Sequence, residues 1–161
     1  MRPAVLFIAV VAILLAFAAA LMCAAPPAEA QFNVAQGEKR IALVIGNAAY
    51  PEAPLRNPVN DARAMAQALR GRGFEVILRE NATKSQMEIA TADFGEKLTE
   101  GATGLFFYAG HGMQVNGRNF LIPIDAKITS EQRVRLETLD VEAVLDQMSA
   151  ARARVSMVIV P

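Results

Sequence analysis

Short apolar segments alternate along the chain with segments in which apolar residues recur at helical spacing. The apolar segments are residues 41–45, 74–78, 105–108 and 155–160. Apolar residues at helical spacing lie between them, at residues 62–69, 87–98 and 141–148. Such strands, joined by helices, form parallel sheets with helices on both faces. The pattern therefore predicts an α/β fold, in which we interpret Phe107 and Tyr108 as core aromatics.

Cap and turn residues refine two parts of this pattern. Thr83 with Gln86 three residues later predicts a capping box for the second helix. Asn116-Gly117 separates residues 113–115 from 118–122, and this dipeptide predicts a β-hairpin because both turn positions tolerate positive φ. The residues that follow the hairpin are polar and predict a loop before the third helix.

Ligand and catalytic sites in parallel sheets lie at the carboxyl ends of the strands. In this chain that edge holds loops 46–58 and 110–112 and whatever follows Val160. His111, the only histidine, lies between two glycines directly after the third strand, a position suited to a general base. The amide of Gly112 could point at a developing oxyanion. The alternative is a loop histidine without a catalytic task.

The first 30 residues are expected to be a signal peptide. Arg2 supplies a positive start, residues 4–25 are almost entirely apolar, and Ala28-Glu29-Ala30 offers a cleavage pattern. The exported form, periplasmic or secreted, would then begin at Gln31 and have no stable membrane association. The apolar run is also long enough for an uncleaved membrane anchor, and this alternative stays open.

Length and composition leave room for one domain. Residues 31–40 are expected to be a linker, and residues 41–161 suffice for a single core.

Charge and the count of metal-binding side chains limit the partners of the chain. Leaving out Arg2 and Glu29, which lie in the predicted leader, reduces the 16 basic and 16 acidic residues to 15 of each. A chain without net charge or a basic stripe is not expected to bind nucleic acid. With one histidine and one cysteine, Cys23 in the predicted leader, neither a metal nor another cofactor is expected.

Three motifs resemble those of the caspase-like family of bacteria, which is akin to metacaspases. They are IALVIGN at 41–47, LRNPVNDA at 55–62 and FYAGHG at 107–112. The resemblance covers about residues 40–160 and implies a caspase-like three-layer sandwich with a mostly parallel sheet. It also implies a cysteine-type endopeptidase that cleaves protein or peptide substrates with a histidine and a cysteine.

The resemblance assigns roles to individual residues. His111 becomes the catalytic base and Gly112 a backbone oxyanion donor. The family carries its cysteine in an Asp-Ala-Cys motif about 50 residues after the histidine. This sequence ends at Pro161 without that motif, so we expect the domain to be incomplete at its C-terminal end and this chain to be inactive on peptides. Asp61 resembles an acid that binds basic substrate side chains in metacaspases. Arg56 lies near the position where caspases place an arginine that binds aspartate.

Several alternatives remain open at this point. Asp61 also suits the first turn of a helix, and Arg56 also suits a solvated loop. The chain is either part of an endopeptidase or a catalytically dead caspase-like module kept for binding or regulation. A hydrolase of another class is the weakest hypothesis, because no serine lies in a nucleophile elbow.

Overall fold

The computed structural model describes residues 38–160 of the chain. The expected signal peptide at 1–30 and most of the expected linker at 31–40 lie outside the described residues, as does Pro161. Within the described part, no helix combines the length and apolar character needed to cross a membrane.

The strands and helices follow the alternation predicted from the sequence. The strands are β1 (Arg40–Gly46), β2 (Glu75–Glu80), β3 (Thr103–Ala109), β4 (Gly112–Val115), β5 (Arg118–Leu121), β6 (Leu139–Asp140) and β7 (Val155–Ile159). The helices are α1 (Pro58–Arg70), α2 (Lys84–Lys97), α3 (Glu131–Glu137) and α4 (Val141–Ala150).

The main sheet has the strand order β2-β1-β3-β7, and all three neighbouring pairs are parallel. This confirms the predicted sheet of four parallel strands. Strand β1 lies inside the sheet and is buried on both faces, so its residues 41–45 form a continuous apolar run. Strand β7 lies at one edge, with Phe107 of β3 opposite Ile159.

Two apolar clusters cover the two faces of the sheet. Alternate residues of β1, among them Leu43, pack with Phe94 of α2 and Val144 of α4. The intervening residues, among them Val44, pack with Ala66 of α1. Because successive strand residues point to opposite faces, this division gives three layers, helix, sheet and helix. The predicted α/β sandwich is therefore confirmed.

A second, antiparallel sheet has the order β4-β5-β6 and contains the predicted hairpin. Asn116 and Gly117 have φ values of 51° and 77°, as the turn requires. The predicted loop after the hairpin is wrong in part, because it contains α3 and β6. Helix α3 has seven residues and buries Val134 alone, too little for a recognisable helical periodicity.

Helix α1 begins earlier than its apolar spacing indicates, with Pro58 as its first residue. Proline suits this position, because the first helical amide has no partner within the helix. A Cβ atom at Gly46 would lie 2.5 Å from the carbonyl oxygen of Pro58 and 2.6 Å from the Cβ of Ala62. The end of β1 therefore needs glycine for the close approach of α1, which fixes both ends of the loop at 47–57.

Candidate active site

Asn47 closes the carboxyl end of the main sheet. Its backbone amide donates to the carbonyl oxygen of Ala109, 2.8 Å away, and so joins the ends of β1 and β3. Its buried side chain accepts from the amide of Ala82 at 2.8 Å and donates to the carbonyl oxygen of Ala82 at 3.3 Å. Because these groups are buried, their pairing holds the segment after β2 against the loop at 47–57.

His111 lies two residues beyond the end of β3, at the edge where the sequence predicted a site. Its imidazole Nε2 is 2.8 Å from the carbonyl oxygen of Ala53. A carbonyl oxygen can only accept, so this bond assigns the proton of the neutral ring to Nε2. The other ring nitrogen, Nδ1, then carries the lone pair that a general base needs.

The backbone of His111 is held by two tyrosines. Its amide donates to the hydroxyl oxygen of Tyr50 at 3.0 Å, and its carbonyl oxygen accepts from the hydroxyl of Tyr108 at 2.8 Å. The amide of Ile122 donates to the same carbonyl at 2.9 Å. The Tyr50 ring also contacts the imidazole, with 4.5 Å between ring centroids and an angle of 53° between the planes.

The two tyrosine hydroxyls form a buried pair. They lie 3.1 Å apart, and each is 2.9 Å from the carbonyl oxygen of Ile122. Burial raises the pKa of both phenols above the ordinary value, and the neighbouring Tyr50 adds to the rise for Tyr108. Both hydroxyls are therefore protonated at neutral pH, as donation to carbonyl oxygens requires.

Glycine is required at position 110 by this pair. A Cβ atom there would lie 2.6 Å from the Tyr108 hydroxyl oxygen and 2.7 Å from the Tyr50 hydroxyl oxygen. At Gly112, by contrast, the nearest atom to such a Cβ would be the carbonyl oxygen of Phe120, at an ordinary 3.4 Å. The fold therefore explains the first glycine of the Gly-His-Gly sequence and leaves the second without a packing reason.

The amide of Gly112 is turned away from the hairpin partner. Gly112 faces Leu121, one position from the bond between the Ile122 amide and the His111 carbonyl. Facing pairs in an antiparallel ladder alternate between bonded and non-bonded, so Gly112 and Leu121 form a non-bonded pair. The Gly112 N–H thus points outward, as a donor to an oxyanion must.

Two open cavities flank residues 110–112. One, of 390 Å³, is lined by His111, Tyr50, Ala53 and residues 122–127. The other, of 520 Å³, is lined by Gly112, the hairpin and the end of β7, including Val158. The N–H group of Gly112 therefore borders the same cavity as the end of β7.

The family model described as a caspase domain matches residues 39–160. The chain belongs to the caspase family. This confirms the resemblance to caspase-like cysteine peptidases drawn from the three motifs.

Individual relatives agree with this assignment. Over 88 residues the chain is 38% identical to mucosa-associated lymphoid tissue lymphoma translocation protein 1 of Homo sapiens, and to its homologue of Mus musculus. The matched part is 54% of this chain and 11% of each of those relatives. The crystal structure of protein GSU0716 from Geobacter sulfurreducens matches 74% of this chain and 48% of its own, with a TM-score of 0.57. At 24% identity, that likeness bears on the fold alone.

Of the two predicted substrate-binding residues of this caspase-family chain, Arg56 lies in the loop that contacts His111 and Asp61 lies in the helix that follows it. Asp61 is exposed in the first turn of α1, where its backbone amide donates to the carbonyl oxygen of Asn57 at 2.9 Å. Arg56 is exposed just before that helix. Among the described residues, neither lines the two cavities next to His111 and Gly112. Their roles in substrate binding stay predictions.

Sequence reasoning missed Tyr50 and Ala53. The sequence signal for Tyr50 is an aromatic residue in a proline-rich loop that follows an apolar strand. In the structure this residue is only 7% exposed. Ala53 contributes a backbone oxygen, for which no residue type is a marker. Tyr108 is a core aromatic, as interpreted, and its hydroxyl also bonds the carbonyl oxygen of His111.

Within residues 38–160, no group of three or more His, Cys, Asp or Glu is placed to hold a metal.

Proposed function

We propose that this chain is the histidine-bearing part of a cysteine-type endopeptidase. The observation that carries the proposal is the bond between His111 Nε2 and the Ala53 carbonyl, which leaves Nδ1 as the basic nitrogen. The chain spans 11% of the human relative and 48% of the solved bacterial structure, so the activity of the whole protein goes beyond what the family assignment states.

In the proposed reaction, Nδ1 of His111 accepts the proton of a cysteine thiol. The thiolate attacks the substrate carbonyl carbon, and the N–H of Gly112 stabilises the negative oxygen that forms. The imidazolium then protonates the leaving amine as the peptide bond breaks, which leaves a thioester. A water molecule, deprotonated by the same histidine, hydrolyses the thioester and restores the thiol.

The register of the sheet supports a cysteine that follows β7. Phe107 of β3 faces Ile159 of β7, and both strands run to the same edge. A continuation of that register by a few residues would place the chain after Pro161 level with His111. The Asp-Ala-Cys motif implied by the family would therefore enter the site from the neighbouring strand, beside the cavity that Gly112 and Val158 line.

The test compares the present chain with one extended by the sequence encoded after the Pro161 codon. We expect Asp-Ala-Cys in that sequence and thiol-dependent cleavage of short peptides by the extended chain, but no cleavage by the present chain. Changing His111 to Ala in the extended chain should reduce kcat by about 10²- to 10⁴-fold.

The control is the extended chain with serine in place of the new cysteine, which should fold and not cleave. A stop codon directly after Pro161 would overturn the peptidase proposal and favour a binding or regulatory module. Cleavage that survives His111→Ala would contradict the assigned base.

A further inference from the structure

Tyr50 contacts His111 in two ways within the described structure. Its hydroxyl accepts the backbone amide of His111 at 3.0 Å, and its ring packs on the imidazole at 4.5 Å between centroids. Three residues later in the same loop, Ala53 places its carbonyl oxygen 2.8 Å from Nε2. One short loop therefore contacts the backbone, the ring and one ring nitrogen of the histidine.

We infer that Tyr50 is a positioning residue, which keeps the imidazole of His111 in the orientation and tautomer that present Nδ1 as a base. The inference rests on the proposed function for its catalytic meaning, although the orientation itself can be measured without activity. Tyr50 touches no reacting atom in this proposal and acts through the histidine.

The hydroxyl of Tyr50 ties the loop after β1 to two other segments, at His111 and at Ile122. It accepts from His111 and donates to the carbonyl oxygen of Ile122 at 2.9 Å. Without the hydroxyl, the half-buried amide of His111 loses its partner and must find water or shift, whereas the Ile122 carbonyl oxygen keeps the Tyr108 hydroxyl at 2.9 Å. Because the Ala53 oxygen depends on the path of the same loop, such a shift would also lengthen its bond to Nε2.

Hydrogen bonds hold the loop that carries Tyr50, so the position of Tyr50 can fix that of the His111 imidazole. The side-chain oxygen of Asn81 accepts from the amides of Ala48 and Ala49, both at 2.9 Å. The amide of Leu55 donates to the carbonyl oxygen of Ala48 at 2.9 Å, which closes the loop on itself. The backbone that carries Tyr50 is therefore held in place, and Tyr50 itself is 7% exposed.

Tyr108 provides a contrast that makes the inference specific. Its hydroxyl oxygen lies 2.8 Å from the His111 carbonyl oxygen and 2.9 Å from the Ile122 carbonyl oxygen, and its single proton is shared between these two acceptors. Its ring, however, belongs to the core cluster on one face of the main sheet. Loss of the Tyr108 hydroxyl should therefore disturb the imidazole less than loss of the Tyr50 hydroxyl.

The experiment reads the ring nitrogens of His111 by proton–nitrogen correlation NMR, where the single histidine of the sequence gives one set of signals. We expect the chain to show the Nε2–H tautomer with a slowly exchanging Nε2 proton. Tyr50→Phe keeps the ring and removes the hydroxyl, so exchange of that proton should accelerate by about five- to tenfold, the factor expected for the loss of one hydrogen bond. Tyr108→Phe should change it less.

The matched control is Thr138→Val, which removes another buried hydroxyl bond, from Thr138 to the Val134 carbonyl at 2.6 Å. If Tyr50→Phe does not fold, Asn81→Gly is the second variant to test. Glycine tolerates the φ of 50° at position 81, and the substitution removes the acceptor of the Ala48 and Ala49 amides. It should accelerate exchange of the Nε2 proton in the same way.

Unchanged tautomer and exchange in Tyr50→Phe, or an equal change in Thr138→Val, would overturn the positioning role. In the extended chain, Tyr50→Phe should lower kcat with KM unchanged. An extended chain that is inactive while Tyr50→Phe still alters the imidazole would overturn the peptidase proposal and leave the positioning role standing.

Discussion

The imidazole Nε2 of His111 lies 2.8 Å from the backbone carbonyl oxygen of Ala53. This contact links the loop after β1 to the loop after β3, two neighbouring strands of the main sheet. It fixes which ring nitrogen can accept a proton, and it depends on a loop that Asn47 and Tyr50 hold in place. The chemistry of the histidine is therefore set by atoms of another loop and not by its immediate neighbours in the sequence.

We predict that the tyrosines of the folded chain resist ionisation. The sequence has two, Tyr50 and Tyr108, and burial raises the pKa of each above its ordinary value of about 10. Near-ultraviolet absorbance of tyrosinate should therefore rise at higher pH in the folded chain than in the same chain unfolded in urea. A native titration that overlays the unfolded one would contradict the buried pair.

The same shift predicts a loss of stability in alkali. Above about pH 10 the unfolded chain releases its tyrosine protons while the folded chain keeps them, so the folded state binds more protons. The contribution of the pair to the free energy of unfolding is thus complete below about pH 10 and falls as the pH rises through the folded pKa values. Urea unfolding on both sides of that pH, with Tyr108→Phe for comparison, measures it.

The two glycines beside His111 should respond differently to alanine. Gly110→Ala forces a methyl group onto two buried hydroxyls and should lower the free energy of unfolding by about 1–3 kcal/mol. In Gly112→Ala the added methyl group makes an ordinary contact, so the free energy of unfolding should stay within about 0.5 kcal/mol of that of the parent chain. Urea unfolding of the two variants decides, and equal losses would contradict the close approach at Gly110.

Strong periodicity explains why the main elements could be predicted from the sequence. Residues 41–45 and 105–108 are apolar throughout because both faces of their strands are covered, and the spacing of Ala62 and Leu69 reflects one buried helix face. Helix α3 escaped prediction because it buries a single residue, Val134.

The candidate site was predictable only where side chains carry the signal. His111 and its glycines mark the edge of the sheet from sequence alone. The Ala53 oxygen could not be predicted, because any residue supplies a carbonyl and its position depends on how the loop returns across the sheet. The role of Tyr50 depends on the same loop path, and its hydroxyl meets His111, which lies 61 positions away in the sequence.

We further propose export, with removal of residues 1–30. The pattern Ala28-Glu29-Ala30 after the apolar run predicts a mature amino terminus at or near Gln31. Mass spectrometry of protein from the extracellular or periplasmic fraction tests this directly. Full-length protein recovered in membranes would instead show that the segment is an uncleaved anchor.

The last prediction concerns which substrate side chain the proposed peptidase prefers. Asp61 and Arg56 lie close together in the chain, one in the first turn of α1 and one just before it, and both are exposed. Their opposite charges predict opposite substrates, because a buried or partly buried charge on the substrate needs a partner of the other sign. If Asp61 forms the pocket, the extended chain should cleave after Arg or Lys, and Asp61→Asn should reduce kcat/KM for those peptides by about tenfold or more. If Arg56 forms it, cleavage should follow Asp, and Arg56→Gln should have that effect. Each substitution serves as the control for the other, since both remove one charge from the same exposed segment. Peptides with Arg, Lys or Asp before the scissile bond, assayed with both variants, decide between them, and a preference that neither substitution alters would exclude both residues from the pocket.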